Sequence, residues 1–290
     1  MQHHPLRIGQ GTRNGYGLFQ LKYLYQAHWD LTTHQGRQGY AQRPRQRALN
    51  TGLTEIPLQQ NSNAVRAILN LQAEAGWRVG GGERYLEEST ESRLPDLLPM
   101  HERKIEWYQD RGVLTEKDLY LLPGTAIKGA LRHRVAYHYN CLAGIFAEEV
   151  SDITTDENLA VQTLFGFTQD KNAQAGLLSL QDIYLTGQDT QTVVHNKIDR
   201  YTGGVIRGAL FSEQILWQSK IELCLDILKP QEDIDPKIKQ ALKLSLDDLA
   251  QGWLPLGASG SRGLGVFTDP TGLGVQWSDQ QQWINAGEVQ

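Results

Sequence analysis

Polar and apolar residues alternate over residues 64–74, so that Val65, Ala67, Leu69 and Leu71 fall on one face. That period of two predicts a β-strand with one buried side. The alternation returns at Ile221, Leu223, Leu225 and Ile227, predicting a strand over about 219–227. Further strands are expected at Leu177 to Leu185, at about 207–217 and, briefly, at Gly265 to Thr268. Two segments switch to a helical period. Ile127, Leu131 and Val135 are spaced i, i+4, i+8 behind Pro123-Gly-Thr, which predicts a helix capped by Thr125 and running to about Asn140. The second helix has Asp235 as its cap, Pro236 at its first position and Gly252 past its end. Its buried face would be Ile238, Leu242, Leu246 and Leu249. A glycine-containing hairpin region covers about 186–206. The order strand–helix–strand–strand–helix–strand is a ferredoxin-like, RRM-like α+β arrangement. Residues 83–118 fit neither period; charged and holding Pro95 and Pro99, they are expected to form a long loop insertion.

One internal repeat stands out. Gly11-Thr-Arg-Asn-Gly-Tyr-Gly-Leu-Phe19 resembles Gly260-Ser-Arg-Gly-Leu-Gly-Val-Phe267 with one residue inserted. The later copy closes a domain, so the earlier one reads as the end of another such domain. Residues 1–60 are therefore expected to be the remnant of an upstream module plus an arginine-rich linker, and 61–290 the main domain. Leu18, Leu21 and Tyr23 would then be buried.

Composition changes this picture little. Of 290 residues 40% are hydrophobic and 21% charged, ordinary values for a globular protein. No run of eighteen apolar residues predicts a membrane span, and Met1-Gln-His-His-Pro lacks the apolar core of a signal peptide. Two cysteines, Cys141 and Cys224, exclude a disulfide framework and a four-cysteine zinc site; a reducing cytoplasm fits. Net charge is -5, which speaks mildly against nucleic acid, but charge is segregated. No acidic residue lies between Asp30 and Glu55, whereas Arg37, Arg43, Arg45 and Arg47 do. That cluster is either a solvated linker or a contact surface.

Three motifs carry candidate chemistry. Leu122-Pro-Gly-Thr-Ala-Ile-Lys-Gly-Ala-Leu-Arg132 opens a helix whose free N–H groups suit an anion, and Lys128 and Arg132 share one face of it. An ordinary capped amphipathic helix explains the same residues. In Lys197-Ile-Asp-Arg-Tyr-Thr-Gly-Gly-Val-Ile-Arg-Gly-Ala-Leu-Phe211, glycines including Gly203 and Gly204 permit close backbone approach. Lys197, Arg200 and Arg207 add charge there, and Tyr201 offers a ring for a base. A plain hairpin with a glycine bulge is the alternative. The Gly257–Phe267 loop, with Ser261 and Arg262, lacks the Lys-Ser or Lys-Thr of a P-loop; a backbone-amide cradle for RNA phosphates remains open.

Taken in order, these segments resemble the signatures of RAMP proteins, in particular backbone subunits of type III CRISPR effector complexes. The first is similar to "PGSSLKGALR" and the second to "IDR-TGG-GALF". Leu164-Phe-Gly166 with Gly176-Leu-Leu-Ser-Leu-Gln-Asp182 is similar to "LFG…G-L-F-D", and Gly260-Ser-Arg-Gly-Leu-Gly265 to the C-terminal glycine-rich loop. The resemblance implies a subunit that holds guide RNA by its backbone, lies beside other RAMP subunits and pushes a thumb hairpin between nucleotides. Some members cut the paired target RNA with a loop aspartate. Here that loop is long, and Asp96 in Leu94-Pro-Asp-Leu-Leu-Pro99 is the best candidate, with Asp110 and Glu83 weaker ones. A carboxylate there would orient a 2′-hydroxyl or hold a divalent magnesium or manganese ion; without cleavage no cofactor is expected. Two alternatives stand beside this reading. One is a non-catalytic structural subunit; the other is a nuclease processing precursor guide RNA, for which His133, His138 and His195 are the available histidines.

Overall fold

The alternating residues of 64–74 are buried as expected. In the computed structural model, Val65, Ala67, Leu69 and Leu71 are at most 1% exposed along the strand Ala64–Ala73 (β1). The structure describes residues 6–9, 17–19, 23–43, 53–57, 64–83, 95–108, 111–146, 148, 157–169, 172–228, 234–279 and 281–285. The chain divides into two compact units, one from residues 1–12 and 16–63, the other from residues 13–15 and 64–290.

In the second unit, β1 leads to the helix Gly124–Ala143 (α1) and then the strand Leu178–Leu180 (β2). The strands Thr190–His195 (β3) and Phe211–Trp217 (β4) form a hairpin, and Lys220–Leu228 (β5) follows. The helix Pro236–Ala250 (α2) and the short strand Phe267–Thr268 (β6) complete the set. The main sheet has the antiparallel order β2-β5-β1-β6, and Gln276–Trp277 also pairs with β1. Register is set by the pattern: Leu69 lies opposite Leu223 and Leu71 opposite Ile221, so both apolar rows point to the same side. Ile127, Leu131 and Val135 of α1 and Ile238, Leu242, Leu246 and Leu249 of α2 cover that side and join the core. Each such side chain contributes roughly 1.5–3 kcal/mol by leaving water.

Four local expectations need correction. Helix α1 begins at Gly124 with Pro123 as its cap residue, so Thr125 lies inside the first turn. The Gly124 N–H donates to Asp182 Oδ1 at 2.8 Å, and this carboxylate occupies the positive end of the helix. A Cβ on Gly124 would lie 3.0 Å from the Leu180 carbonyl oxygen, which is why glycine stands there. The same bend splits the strand expected at Leu177 to Leu185 into β2 and Ile183–Leu185. Residues 95–118 are not a plain loop. Leu97–Pro99 pairs with both Gly80–Glu83 and β4, His101–Glu102 pairs with Leu119–Leu122, and Ile105–Tyr108 forms a hairpin with Arg111–Leu114. Charged residues interleave with apolar ones on that hairpin and hide its period. Finally, Tyr23 is 63% exposed rather than buried. The Leu18 side chain, Leu21 and most of the Gly11–Phe19 repeat lie outside the described residues.

Helices α1 and α2 are also joined by ions. Asp248 Oδ2 accepts from Arg134 Nε and lies 2.6 Å from His138 Nε2. Burial raises the Asp248 carboxyl pKa, but the hydrogen bonds from Arg134 and His138 outweigh it and hold the group below its ordinary value. A lowered folded-state pKa contributes stability above the unfolded value, and this is lost as pH falls below about 4. We expect Asp248→Asn to lose about 2 kcal/mol at neutral pH. It should also flatten the acid limb of the stability curve, measured by urea unfolding from neutral pH downward.

Candidate nucleic-acid interface

The segment between β3 and β4 projects as a hairpin whose tip is ordered by its own backbone. Asp199 Oδ1 accepts from the amides of Tyr201 and Thr202, both at 2.8 Å. Those bonds, led by the Thr202 amide, hold the carboxyl below the usual carboxylate range. Asp199 N–H donates to Gly204 O, Gly203 N–H to Asp199 O, and Ile206 N–H to Lys197 O. Gly203 and Gly208 have positive φ of 68° and 80°, with open space where a Cβ would be. Glycine is needed there for the turn, and its outer side is free for a ligand. Tyr201 at the tip is 99% exposed, and Ile198, Val205 and Leu210 are exposed as well. Lys197, Arg200 and Arg207 are exposed beside them. A shaped apolar tip bearing one ring and three cations suits insertion between stacked bases with phosphates alongside.

The root of this hairpin holds a buried ionic cluster that the sequence motifs did not reveal. Glu213 on β4 is 0% exposed; its Oε2 accepts from Arg78 Nε at 3.0 Å and its Oε1 lies 2.6 Å from His195 Nε2. Ser259 Oγ of the glycine-rich loop is 3.4 Å from both carboxylate oxygens. His195 stacks on Phe211 with centroids 4.9 Å apart, and the Arg262 guanidinium lies 5.2 Å from the Phe211 ring. The first hairpin strand, the return strand and the glycine loop thus meet on one carboxylate. One signal was available: Glu213 stands two residues from both Phe211 and Ile215, on the inward face of its strand.

The glycine loop is pinned rather than open. Ala258 N–H donates to Arg78 O at 2.7 Å and Gly265 N–H to Gly76 O at 3.0 Å. The amides of Arg262, Gly263 and Leu264 donate inside the loop. These five amides are therefore not the phosphate cradle expected from the sequence; Ser261 and Arg262 remain exposed and present side chains instead. A similar correction applies to the start of α1, where Asp182 takes the Gly124 amide. Lys128 and Arg132 are half-buried on that helix. Gly166 and Gly176 let two turns touch: a Cβ on Gly176 would be 2.4 Å from Leu164 O.

Asp96 sits at the same root. Its Oδ2 accepts from Ser212 N–H at 2.8 Å and from Ser212 Oγ at 3.0 Å, and its own N–H donates to Ser212 Oγ at 3.1 Å. Asp96 is thereby held against the first residues of the return strand. Asp110 and the Glu83 side chain lie outside the described residues. Among the described residues no group of three His, Cys, Asp or Glu side chains could hold a metal ion, so the expected magnesium or manganese has no built protein site there. Of the three histidines, His133 is exposed, His138 is bound to Asp248, and His195 is locked by Glu213. None of the helices in the described residues is long and apolar enough to cross a membrane.

An antiparallel sheet backed by two helices thus carries a projecting hairpin with a glycine-rich loop at its root. The chain belongs to the RAMP superfamily, whose sequence profile matches residues 70–268. Within it, the chain is similar to the CRISPR system Cms endoribonuclease Csm3 of Streptococcus thermophilus, 29% identical over 164 residues. The match covers 50% of this chain and 66% of that protein, just short of two thirds of its length.

Proposed function

We propose that this chain is a guide-RNA-binding backbone subunit of a type III CRISPR interference complex, a cytoplasmic ribonucleoprotein containing other RAMP subunits. The order β2-β5-β1-β6 with two helices on one side supports a ferredoxin-like reading of the domain. The observation that carries the function is the hairpin tip, with Tyr201 wholly exposed between Arg200 and Arg207 on an internally bonded turn. Lys128, Arg132, Lys197, Ser261 and Arg262 are assigned to the RNA backbone, with Gly203 and Gly204 leaving room at the turn. Phosphate contacts of this kind position RNA without reading its sequence. Purification of the assembled complex tests this: Arg200→Glu with Arg207→Glu should lose guide RNA, and full retention would refute it.

Cleavage of paired target RNA is a second reading, favoured by the anchoring of Asp96 at the hairpin root. A nucleotide displaced by the tip is freed from the A-form geometry that keeps its 2′-oxygen out of line with the leaving 5′-oxygen. Asp96 would take the 2′-hydroxyl proton as that oxygen attacks phosphorus and the bond from phosphorus to the 5′-oxygen breaks; water would protonate the leaving oxygen, giving a 2′,3′-cyclic phosphate and a 5′-hydroxyl. The competing role is structural, clamping Leu97–Pro99 to β4. Asp96→Asn separates them, because it keeps an acceptor for Ser212 but removes the base. Target cleavage by the assembled complex should fall at least a hundredfold at one site, in line with the ~10²–10⁴ typical of general-base catalysis, with assembly intact. Normal cleavage at every site would leave Asp96 only the clamp.

A further inference from the structure

The first unit has a charge balance opposite to that of the rest of the chain. Residues 1–12 and 16–63 hold six Arg and Lys against two acidic residues, a net charge of +4, which leaves -9 for the rest of the chain. The first unit contains the turn at Trp29–Thr33 and the helix His34–Ala41, which has no buried residue. That helix contains two glycines, each about 1 kcal/mol worse than alanine in a helix interior. Both are explained by the turn beneath it. A Cβ on Gly36 would lie 1.8 Å from Asp30 O, and one on Gly39 would lie 2.9 Å from Trp29 Cδ1. The helix is thus seated on Trp29, yet it buries no core.

What this seating achieves is the placement of Tyr40 and Arg43. Tyr40 is 41% exposed and meets the Trp29 ring edge-on, with centroids 5.7 Å apart. The Arg43 guanidinium lies 3.8 Å from the Tyr40 centroid, and its Nη1 donates to Tyr40 O at 2.9 Å. Arg37 is held by the Leu31 and Thr32 carbonyls. Among the described residues neither Arg37 nor Arg43 pairs with a carboxylate. The nearby Asp30 is occupied by Thr32, whose hydrogen bonds keep its carboxyl below the ordinary value. Tyr23, exposed and stacked on Tyr25 at 6.3 Å, gives a second ring pair in the same unit. Rings and guanidinium planes held at a basic surface are what single-stranded RNA uses, bases stacking on the planes and phosphates meeting the cations.

We propose that the first unit carries its own single-stranded RNA site, in which Arg43 and Tyr40 form the stacking station. The site uses none of the residues of the hairpin and rests on the reading of the chain as RNA-binding. The basic charge favours RNA over a protein partner for these rings.

The test uses the full chain and a single-stranded oligouridine carrying 4-thiouridine. Irradiation should crosslink the RNA to a peptide within residues 23–43. Tyr40→Ala and Arg43→Ala should each weaken binding about tenfold, the loss of one base stack. Arg43→Lys should weaken it nearly as much, because lysine keeps the charge but has no plane, while Tyr40→Phe should bind normally. Arg43→Lys at full affinity, or Tyr40→Ala and Arg43→Ala both at full affinity, would overturn the proposal. So would loss of a partner subunit from the complex with RNA binding unchanged. Arg207→Glu in the same assay separates the two sites. Loss of binding there alone overturns this inference, loss in the first unit alone overturns the role of the hairpin, and no binding by the natural chain overturns both.

Discussion

A Glu213→Ala variant should unfold at a temperature on the order of 10 °C below the natural chain. Breaking a buried ion pair costs about 3–5 kcal/mol, and a domain of this size loses about 2–4 °C per kcal/mol. The cost arises because Arg78 would keep its charge in a place where water cannot reach it; the Arg78 side chain is only 7% exposed. His195 and Ser259 would lose their common acceptor as well. Differential scanning calorimetry measures the shift. Glu213→Gln should be milder, since an amide oxygen still accepts from Arg78. A double variant, Arg78→Met with Glu213→Leu, should recover most of the loss, because apolar residues can replace a buried pair with little cost. Equal loss in the single and double variants would mean that shape, not charge, holds the root. Because the cluster joins both hairpin strands to the glycine loop, the single variant should also weaken RNA binding, whereas the double variant should restore stability more fully than binding.

The second large effect is expected at the hairpin tip. Replacing Tyr201 by alanine removes a stacking ring that touches nothing else in the described protein, so stability should not change, while each lost base stack costs about 1–3 kcal/mol of RNA binding. Reversing Arg200 and Arg207 acts differently. Each lost phosphate contact should lower the slope of log affinity against log salt by about 0.7. The tyrosine variant should weaken binding without changing that slope. The two classes of contact are therefore separable in one titration series, and a slope change in the Tyr201 variant would contradict the division.

How far these features were legible in the sequence depended on the range of the interaction behind them. Strands β1 and β5 and both helices were legible because burial of one face imposes a period on neighbouring residues. Asp235 and Pro236 announced α2 within two positions of its start, and the structure has Asp235 accepting from the Lys237 amide. The start of α1 was misread because its capping group, Asp182, lies 58 residues away. The glycine-rich motifs were legible as close approaches but not as to what approaches them; Gly176 meets Leu164, and Gly257 meets Arg78. The hairpin at Ile105–Leu114 escaped because its exposed charges break up the alternation. Glu213 was written as a charge on an inward position, but only its partners from three other segments turn that into a cluster.

The central claim, that the hairpin of this RAMP chain grips RNA by its backbone, is tested most directly by fluorescence anisotropy of labelled single-stranded RNA against the full chain over a series of salt concentrations. The natural chain should show log affinity falling linearly with log salt, and the Arg200→Glu, Arg207→Glu variant should bind at least tenfold more weakly with a slope shallower by about 1.4. Equal affinity and equal slope for the two proteins across the series would contradict the account.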